Sequence, residues 1–206
     1  METKLDYIIQ RIKDFKKIQI LELGVQNGVS TKRFIELCDI NDGFLTSIDI
    51  KDCSNVIKND RWKFIHSSDD NFEIIDKIIP RAIDFIFIDS LHEPNHVEKV
   101  FYHYYEFLKK GGMCIIDDIS WLPYSKDQYR DNEFSEYINR STFNKILNIF
   151  NQNQENFSLE FFFKESGYAI ITKNKENLLN KPIEIKSREY GIKNLLRKIY
   201  KRNPKN

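Results

Sequence analysis

A short apolar segment that ends in two glycines constrains the fold of this chain more than any other feature. The apolar run at residues 18–23 suits a buried strand and is too short for a helix. Gly24 and Gly28 interrupt it, and apolar residues return at helical spacing over residues 30–36. Strand, glycine turn and helix in this order form the first unit of a nucleotide-binding α/β sheet. A glycine, which lacks a Cβ, allows backbone N–H groups to approach a ligand closely.

The spacing of the glycines narrows the choice of ligand. A dinucleotide-binding turn has the pattern G-x-G-x-x-G/A, and counting from Gly24 the second and third glycine positions hold Gln26 and Val29. The chain has instead the pattern acidic-x-Gly-x-x-x-Gly, formed by Glu22, Gly24 and Gly28. This mismatch disfavours a tight pyrophosphate turn. A strand, turn and helix that bind no ligand are the plain alternative.

The rest of the chain repeats the alternation of strands and helices. A helix over residues 5–15 precedes the first strand, and a hairpin of strands 159–163 and 168–172 follows a helix over 133–150. Between them the predicted elements are strands 43–50, 62–66, 83–89 and 113–118 and helices 30–38, 71–79 and 94–108, the last ended by the Lys-Lys-Gly-Gly segment at 109–112. We therefore expect an α/β fold, with a Rossmann-like, doubly wound, mostly parallel sheet and an antiparallel C-terminal hairpin.

The composition indicates one folded domain followed by a tail. The 206 residues are 41% hydrophobic and 31% charged, and the net charge of +1 gives no electrostatic reason to expect a nucleic-acid partner. We expect a domain over residues 1–174, with the N-terminal helix within residues 1–16, and a basic tail over 175–206 that contains an amphipathic helix. That helix either packs on its own domain or contacts a membrane surface or a partner. Three widely spaced cysteines and the lack of a signal segment or an apolar span predict a cytoplasmic protein.

Acidic residues follow three of the predicted strands. Asp49 lies 21 positions after Gly28, where a carboxylate can accept from two ribose hydroxyls. Asp89 ends the fourth strand, and Asp117 and Asp118 end the fifth, which lies beside it in a doubly wound sheet. Carboxylates that converge in this way repel one another unless a cation lies between them, and oxygen ligands favour Mg²⁺. A polar strand end at Asp49 and a helix N-cap at the double Asp are the structural alternatives.

Together these motifs resemble the class I S-adenosylmethionine-dependent methyltransferases. The acidic-x-Gly-x-x-x-Gly turn is similar to their motif I, and residues 87–93, with the downstream Lys-Lys-Gly-Gly and Asp-Asp-Ile segments, resemble the macrolide and aminocoumarin sugar O-methyltransferases. The resemblance covers about residues 18–118. It implies that Glu22, Gly24 and Gly28 hold the methionine end of S-adenosyl-L-methionine. It also implies that Ser68 or Asp69 lies beside the adenine, although either residue can also serve as a helix cap.

The same resemblance implies the metal ligands and leaves the base open. It places Mg²⁺ on Asp89, Asp117 and Asp118. Relatives often carry a second acid two positions after the first, where this chain has Leu91. His92 is the natural substitute, because histidine changes its protonation near neutral pH, so His92 and Asp89 are the predicted catalytic residues. An ordinary loop histidine is an equal alternative for His92, and His96 is a weaker candidate base.

The predicted function is divalent-metal-assisted O-methylation of a small hydroxylated substrate, a sugar or a glycosylated molecule. The long segment at residues 120–132 includes Trp121, Tyr124 and Tyr129, which would form an apolar wall over the acceptor. The rival hypotheses are a NAD-dependent oxidoreductase and a non-catalytic cofactor-binding or scaffold protein of a glycan-assembly cluster. The sequence does not decide between a monomer and a homo-oligomer, and both stay open.

Overall fold

A computed structural model describes residues 3–121, 133–183, 191–193 and 196 of the chain. Five helices are present in these residues: α1 Lys4–Ile12, α2 Val29–Asn41, α3 Phe72–Ile75, α4 Pro94–Tyr105 and α5 Glu133–Gln152. Seven strands accompany them: β1 Gln19–Leu23, β2 Phe44–Asp49, β3 Trp62–His66, β4 Ile83–Ile88, β5 Leu108–Asp117, β6 Phe157–Phe162 and β7 Tyr168–Lys173.

The strands form one mixed sheet in the order β3-β2-β1-β4-β5-β7-β6. The first five are parallel neighbours, whereas β7 runs antiparallel to both β5 and β6. This confirms the predicted fold class, including the C-terminal hairpin. The strand order reverses between β1 and β4, and in such sheets the crevice outside the carboxyl ends of these two strands is where ligands bind.

Helices cover both faces of the sheet, as a parallel sheet requires. On one face Ile8 of α1 and Phe34 of α2 pack with Phe85 of β4. On the other face Phe101 and Tyr104 of α4 pack with Ile146 of α5. All six residues of β4 are buried, which accounts for its nearly continuous apolar sequence.

The structure corrects two helix boundaries. The predicted helix over residues 71–79 is only the single turn of α3. The predicted helix over 94–108 ends at Tyr105, and the Lys-Lys-Gly-Gly segment belongs to β5 rather than ending a helix. A shift of register between β4 and β5 lies at this point, and Gly111 has a φ of +80°. Glycines serve a strand bulge as well as a helix end, so the local pattern alone did not separate the two.

The first described residues of the tail pack on the domain. The hydroxyl of Tyr102 in α4 donates to the carbonyl of Asn180 at 2.6 Å, and Leu179 contacts the core. Most of the predicted amphipathic helix, and the loop residues Tyr124 and Tyr129, lie outside the described residues. The boundary at 174/175 stays a prediction. Within the residues that are described, none of the helices combines the length and apolar character needed to cross a membrane.

Candidate active site

The glycine turn joins the carboxyl ends of three strands. The amide of Gly24 donates to the carbonyl of Ile48 in β2 at 2.9 Å, and the amide of Asp89 donates to the carbonyl of Leu23 at 2.8 Å. Gly24 has a φ of +95°, and a Cβ placed on it would lie 2.2 Å from the carbonyl oxygen of Asp89. Only glycine fits a backbone approach this close, and it brings the turn directly against Asp89.

Gly28 has a different task from Gly24. It is the N-cap of α2, with a φ of +70°, and a Cβ there would lie 2.0 Å from a methyl group of Val56. It therefore allows the loop after β2 to pack against the start of α2. We predicted that both motif glycines hold the ligand. Gly24 lines the two cavities described below, whereas Gly28 lines neither and contacts Val56 instead.

Glu22 lies beneath the turn and is fully buried. Its carboxylate accepts hydrogen bonds from Ser30 at 2.6 Å, Thr31 at 2.9 Å and Ser47 at 2.6 Å. Burial raises the pKa of Glu22 to about 7, although these hydroxyls oppose the shift. Glu22 thus fastens the start of α2 to β2 and holds the glycine turn between them. Its predicted contact with the methionine end of a ligand stays a prediction.

Asp49 connects the end of β2 to the same turn. One of its carboxylate oxygens accepts from the amides of Val25 and Gln26 at 2.8 and 3.0 Å, and the other accepts from Lys51 at 2.8 Å. Burial opposes ionisation of this carboxyl, but the three backbone donors outweigh it and lower the pKa of Asp49. Asp49 is therefore an anion held in a fixed position, and it lines a cavity.

This first cavity has a volume of about 300 Å³ and lies over the strand order reversal. Most of the residues predicted to bind the cofactor form its wall: Gly24, Asp49, Ser68 and Asp69, joined by Asp89 and Ser90. Glu22 and Gly28 do not line it. The cavity thus brings together residues from the ends of four strands that are far apart in the chain.

Asp69 is held at the far end of the first cavity. Its carboxylate accepts from the hydroxyl of Ser90 at 2.6 Å and lies 2.9 Å from Nε2 of His96. The hydrogen bond to Asp69 raises the pKa of His96 in spite of its burial. His96, which we predicted as a weaker candidate base, is therefore hydrogen-bonded to Asp69. This pair holds the part of the cavity wall where we expect the adenine.

A compact acidic group includes Asp89, the residue that Gly24 approaches. Ligand atoms of Asp89, His92 and Asp118 lie within 4.8 Å of one another, and Nε2 of His92 is 3.6 Å from Asp89 and 3.4 Å from Asp118. Partial burial and the carboxylates of Asp117 and Asp118 raise the pKa of Asp89 to about 8. Carboxylates that raise one another's pKa in this way suit a divalent cation. The two carboxylates provide oxygen donors that Mg²⁺ or Mn²⁺ can use, and the imidazole lies beside them.

Asp117 lies beside this group, since its carboxylate also raises the pKa of Asp89, but it is paired with Lys4. Asp118 has a φ of +54°, and its amide donates to a carboxylate oxygen of Asp117 at 2.9 Å. Asp117 is 4% exposed, and both of its oxygens lie 2.7 Å from the ammonium of Lys4. Burial lowers the pKa of Lys4, but its ion pair with Asp117 more than compensates and raises it. The structure thus brings two of the three predicted metal ligands together with His92 and places the third against Lys4.

The sequence did not reveal two residues that support this group. Lys4 lies 113 positions from Asp117, and nothing in the N-terminal pattern marks it as a site residue. Thr142 of α5 is buried and donates its hydroxyl to the carbonyl of His92 at 2.9 Å, which fixes the loop that carries the imidazole. For Thr142 the only signal in the sequence was its position on the predicted helix over residues 133–150.

A second cavity of about 700 Å³ adjoins the first and shares Gly24, Gln26 and Asp89 with it. It lies between α1 and α2, and its wall includes Lys4, Asp117 and several charged residues of α2. Two adjacent spaces that meet at Asp89 can hold a donor molecule and an acceptor side by side. Trp121 packs edge to face on Phe143 of α5, with ring centroids 6.0 Å apart.

Comparisons with known proteins agree with this geometry. The family model described as a methyltransferase domain matches residues 21–119. A search of curated proteins gave no match.

Three solved structures share the fold. The MycE methyltransferase of the mycinamycin biosynthetic pathway, in complex with Mg and SAH, has a TM-score of 0.63 and 19% identity over 85% of this chain and 51% of its own. A Staphylococcus aureus protein assigned as a caffeoyl-CoA O-methyltransferase has a TM-score of 0.64 and 21% identity over 82% of both chains. The SAH-bound methyltransferase PaMTH1 of Podospora anserina has a TM-score of 0.65 and 16% identity over 85% and 80%.

This chain spans about half the length of MycE. The family match extends from within β1 to the residue after Asp118, so it contains the glycine turn and the acidic group. The sheet order, the glycine turn and the matched segment agree: the chain has the class I methyltransferase fold, and residues 21–119 match a methyltransferase domain.

Proposed function

We propose that this enzyme transfers a methyl group to a hydroxyl oxygen of a sugar or a glycosylated small molecule, with the assistance of a divalent cation. The observation that carries the proposal is the group of Asp89, His92 and Asp118, in which Asp89 also lines both cavities. A hydroxyl is a weak nucleophile until it loses its proton, and this group combines a cation site with a base. MycE, which has been solved with Mg, SAH and mycinamycin VI, supports this choice of acceptor.

The first cavity would bind the methyl donor. Asp49, an anion on its wall, would accept hydrogen bonds from the ribose hydroxyls, and Ser68 and Asp69 would lie beside the adenine. Gly24 would lie against the methionine end, at the point where its backbone approaches that of Asp89 too closely for any side chain. S-adenosylmethionine supplies an electrophilic methyl group, so the protein needs only to orient the donor and prepare the acceptor.

The acidic group would bind the acceptor oxygen. Asp89 and Asp118 would hold Mg²⁺, which lowers the pKa of a hydroxyl bound to it. Nε2 of His92 would accept the hydroxyl proton, with the loop held in place by Thr142. Trp121 remains a candidate for the apolar wall over the acceptor. The cytoplasmic location also remains part of the proposal, and three unpaired, buried cysteines suit a reducing compartment.

The cofactor assignment can be tested by calorimetric titration with S-adenosylmethionine, S-adenosylhomocysteine and NAD. We expect the first two to bind and NAD to give no heat. Asp49→Asn should weaken the adenosyl ligands by about tenfold or more, because an amide accepts fewer hydrogen bonds than a carboxylate. Asp52→Asn is the matched control, since Asp52 also accepts from a nearby amide, that of Ser54, but is exposed and outside the first cavity.

The reaction can be tested with donor labelled in its methyl group and a panel of glycosides, free sugars and catechols. We expect label in a glycoside hydroxyl, loss of activity with a chelator and recovery with Mg²⁺. His92→Gln should lower the rate by about 100-fold, as loss of a general base does. His103→Gln is its control, because His103 of α4 pairs with Asp76 at the end of α3 and takes no part in the acidic group. Transfer that is insensitive to chelation would contradict the metal, and label in catechols alone would contradict the acceptor class.

A further inference from the structure

The first residue of α1 places a cation on Asp117, the aspartate next to the acidic group. The ammonium of Lys4 donates to both oxygens of Asp117 and to the hydroxyl of Ser166, each at 2.7 Å. The side chains of Lys4 and Asp117 are 16% and 5% exposed. Lys4 therefore differs from the surface lysines of the chain. Removal of either partner of this buried ion pair would leave the other as an unpaired charge out of reach of water.

The position of Lys4 is fixed by its own helix. Thr3 and Asp6 form a capping box at the start of α1, and the amide of Lys4 donates to the carboxylate of Glu165 at 3.1 Å. Tyr7 stacks on Phe162 of β6 with ring centroids 4.8 Å apart. These contacts dock α1 on the β6–β7 hairpin, whose turn carries Ser166, so that the ammonium has a defined place beside Asp117.

The hydrogen-bonding capacity of Asp117 is largely used by this arrangement. One of its oxygens accepts from Lys4 and from the amide of Asp118 at 2.9 Å, and the other accepts from Lys4. Asp89 and Asp118 have no ammonium this close among the described residues, and they are the carboxylates grouped with His92. The cluster thus contains three carboxylates, one of which is already neutralised from within the chain.

We propose that Lys4 withholds Asp117 from the divalent ion, so that Asp89 and Asp118 are the carboxylates that hold it and Lys4 is a positioning residue that sets the affinity of the cation site. This inference rests on the metal part of the proposed function. It differs from the expectation of three aspartate ligands, because a charge on the first helix replaces the metal as the partner of the third aspartate.

Binding of Mn²⁺ alone, followed by the electron paramagnetic resonance signal of the free ion, tests the role of Lys4 without any methyl acceptor. Lys4→Gln should bind Mn²⁺ at least about fivefold more tightly, because it removes a nearby positive charge and frees Asp117. Lys4→Met, which keeps the apolar stem, should do the same and serves as a second charge-free variant. Lys4→Arg should stay within about twofold of the wild type. Lys32→Gln, on the wall of the same cavity, is the control and should have no effect.

A double variant separates ligation from charge. Lys4→Gln with Asp117→Asn leaves the net charge of the cluster unchanged, so it should bind Mn²⁺ within about threefold of the wild type. Asp118→Asn, which removes a proposed ligand, should bind at least about tenfold more weakly. Circular dichroism melting would establish that each variant is folded.

The outcomes distinguish the inference from the proposed function. Unchanged or weaker Mn²⁺ binding in folded Lys4→Gln and Lys4→Met, or a tenfold loss in the double variant, would overturn the role of Lys4 and leave a metal-assisted enzyme. Wild-type protein that binds S-adenosylmethionine but no Mn²⁺ would refute the metal part of the proposed function, and the inference with it.

Discussion

Replacement of Gly24 by alanine is expected to lower the free energy of unfolding by about 4 kcal/mol, the combined cost of a strained φ and of overpacking that cannot relax. The new Cβ would lie 2.2 Å from the carbonyl oxygen and 2.7 Å from the carbonyl carbon of Asp89. Both atoms belong to the backbone of Asp89, whose amide donates to the carbonyl of Leu23 in β1. The turn and Asp89 would therefore have to separate, and binding of S-adenosylmethionine should be lost together with stability.

Gly111→Ala is the matched control for this prediction. Gly111 also has a positive φ, +80°, but a Cβ there would have no heavy atom within 4 Å. It should cost only the conformational strain, about 1 kcal/mol. Urea denaturation of both variants measures the difference. Equal losses of stability at the two glycines would show that the close approach of Gly24 to Asp89 has no energetic weight.

The fold could be predicted from the sequence because its elements have local signals. The apolar strand before Gly24, the glycine turn and the hairpin at Gly167 each have a pattern that a few neighbouring residues determine. The placement of Asp49 and Asp89 at one edge follows from parallel topology alone. Ambiguity arose where one local pattern suits two structures, as at Gly111 and Gly112.

The partners of the site residues could not be predicted in the same way. A lysine at the start of an amphipathic helix normally lies in water, and only the docking of α1 on the hairpin brings Lys4 to Asp117. Glu22 has the spacing of a ligand contact, but the direction of its side chain depends on which strands flank β1. Such contacts are determined by tertiary packing, which the spacing of residues in the sequence does not predict.

Glu22→Gln is the second substitution for which we expect a large effect, and the effect depends on pH. The folded protein keeps the proton of Glu22 up to about pH 7, whereas the unfolded chain releases it near pH 4.5. Between these values the unfolded state binds fewer protons than the folded state, so the wild-type free energy of unfolding falls as the pH rises. The loss should be complete above pH 7 and amount to about 3 kcal/mol.

A glutamine cannot lose a proton, so the variant should lack this loss. Near pH 4.5 the amide and the protonated carboxyl have almost the same shape, and the two proteins should be about equally stable. At pH 8 the variant should be more stable than the wild type by about 3 kcal/mol, provided that Ser30, Thr31 and Ser47 reorient their hydroxyls toward the amide. Urea denaturation at half-unit steps between pH 4.5 and 8 gives the comparison.

Glu36→Gln is the control for this experiment, because Glu36 lies exposed on the same helix that Glu22 fastens. It should leave the pH profile of stability unchanged. A Glu22→Gln variant that matches the wild type near pH 4.5 but is less stable than it at pH 8 would mean that the carboxylate is charged in the folded protein and is stabilised by its three hydroxyl donors. The hydrogen-bonded carboxylate of Glu22 would then be a source of stability at neutral pH, and the glycine turn would be held by an anion rather than by a neutral acid.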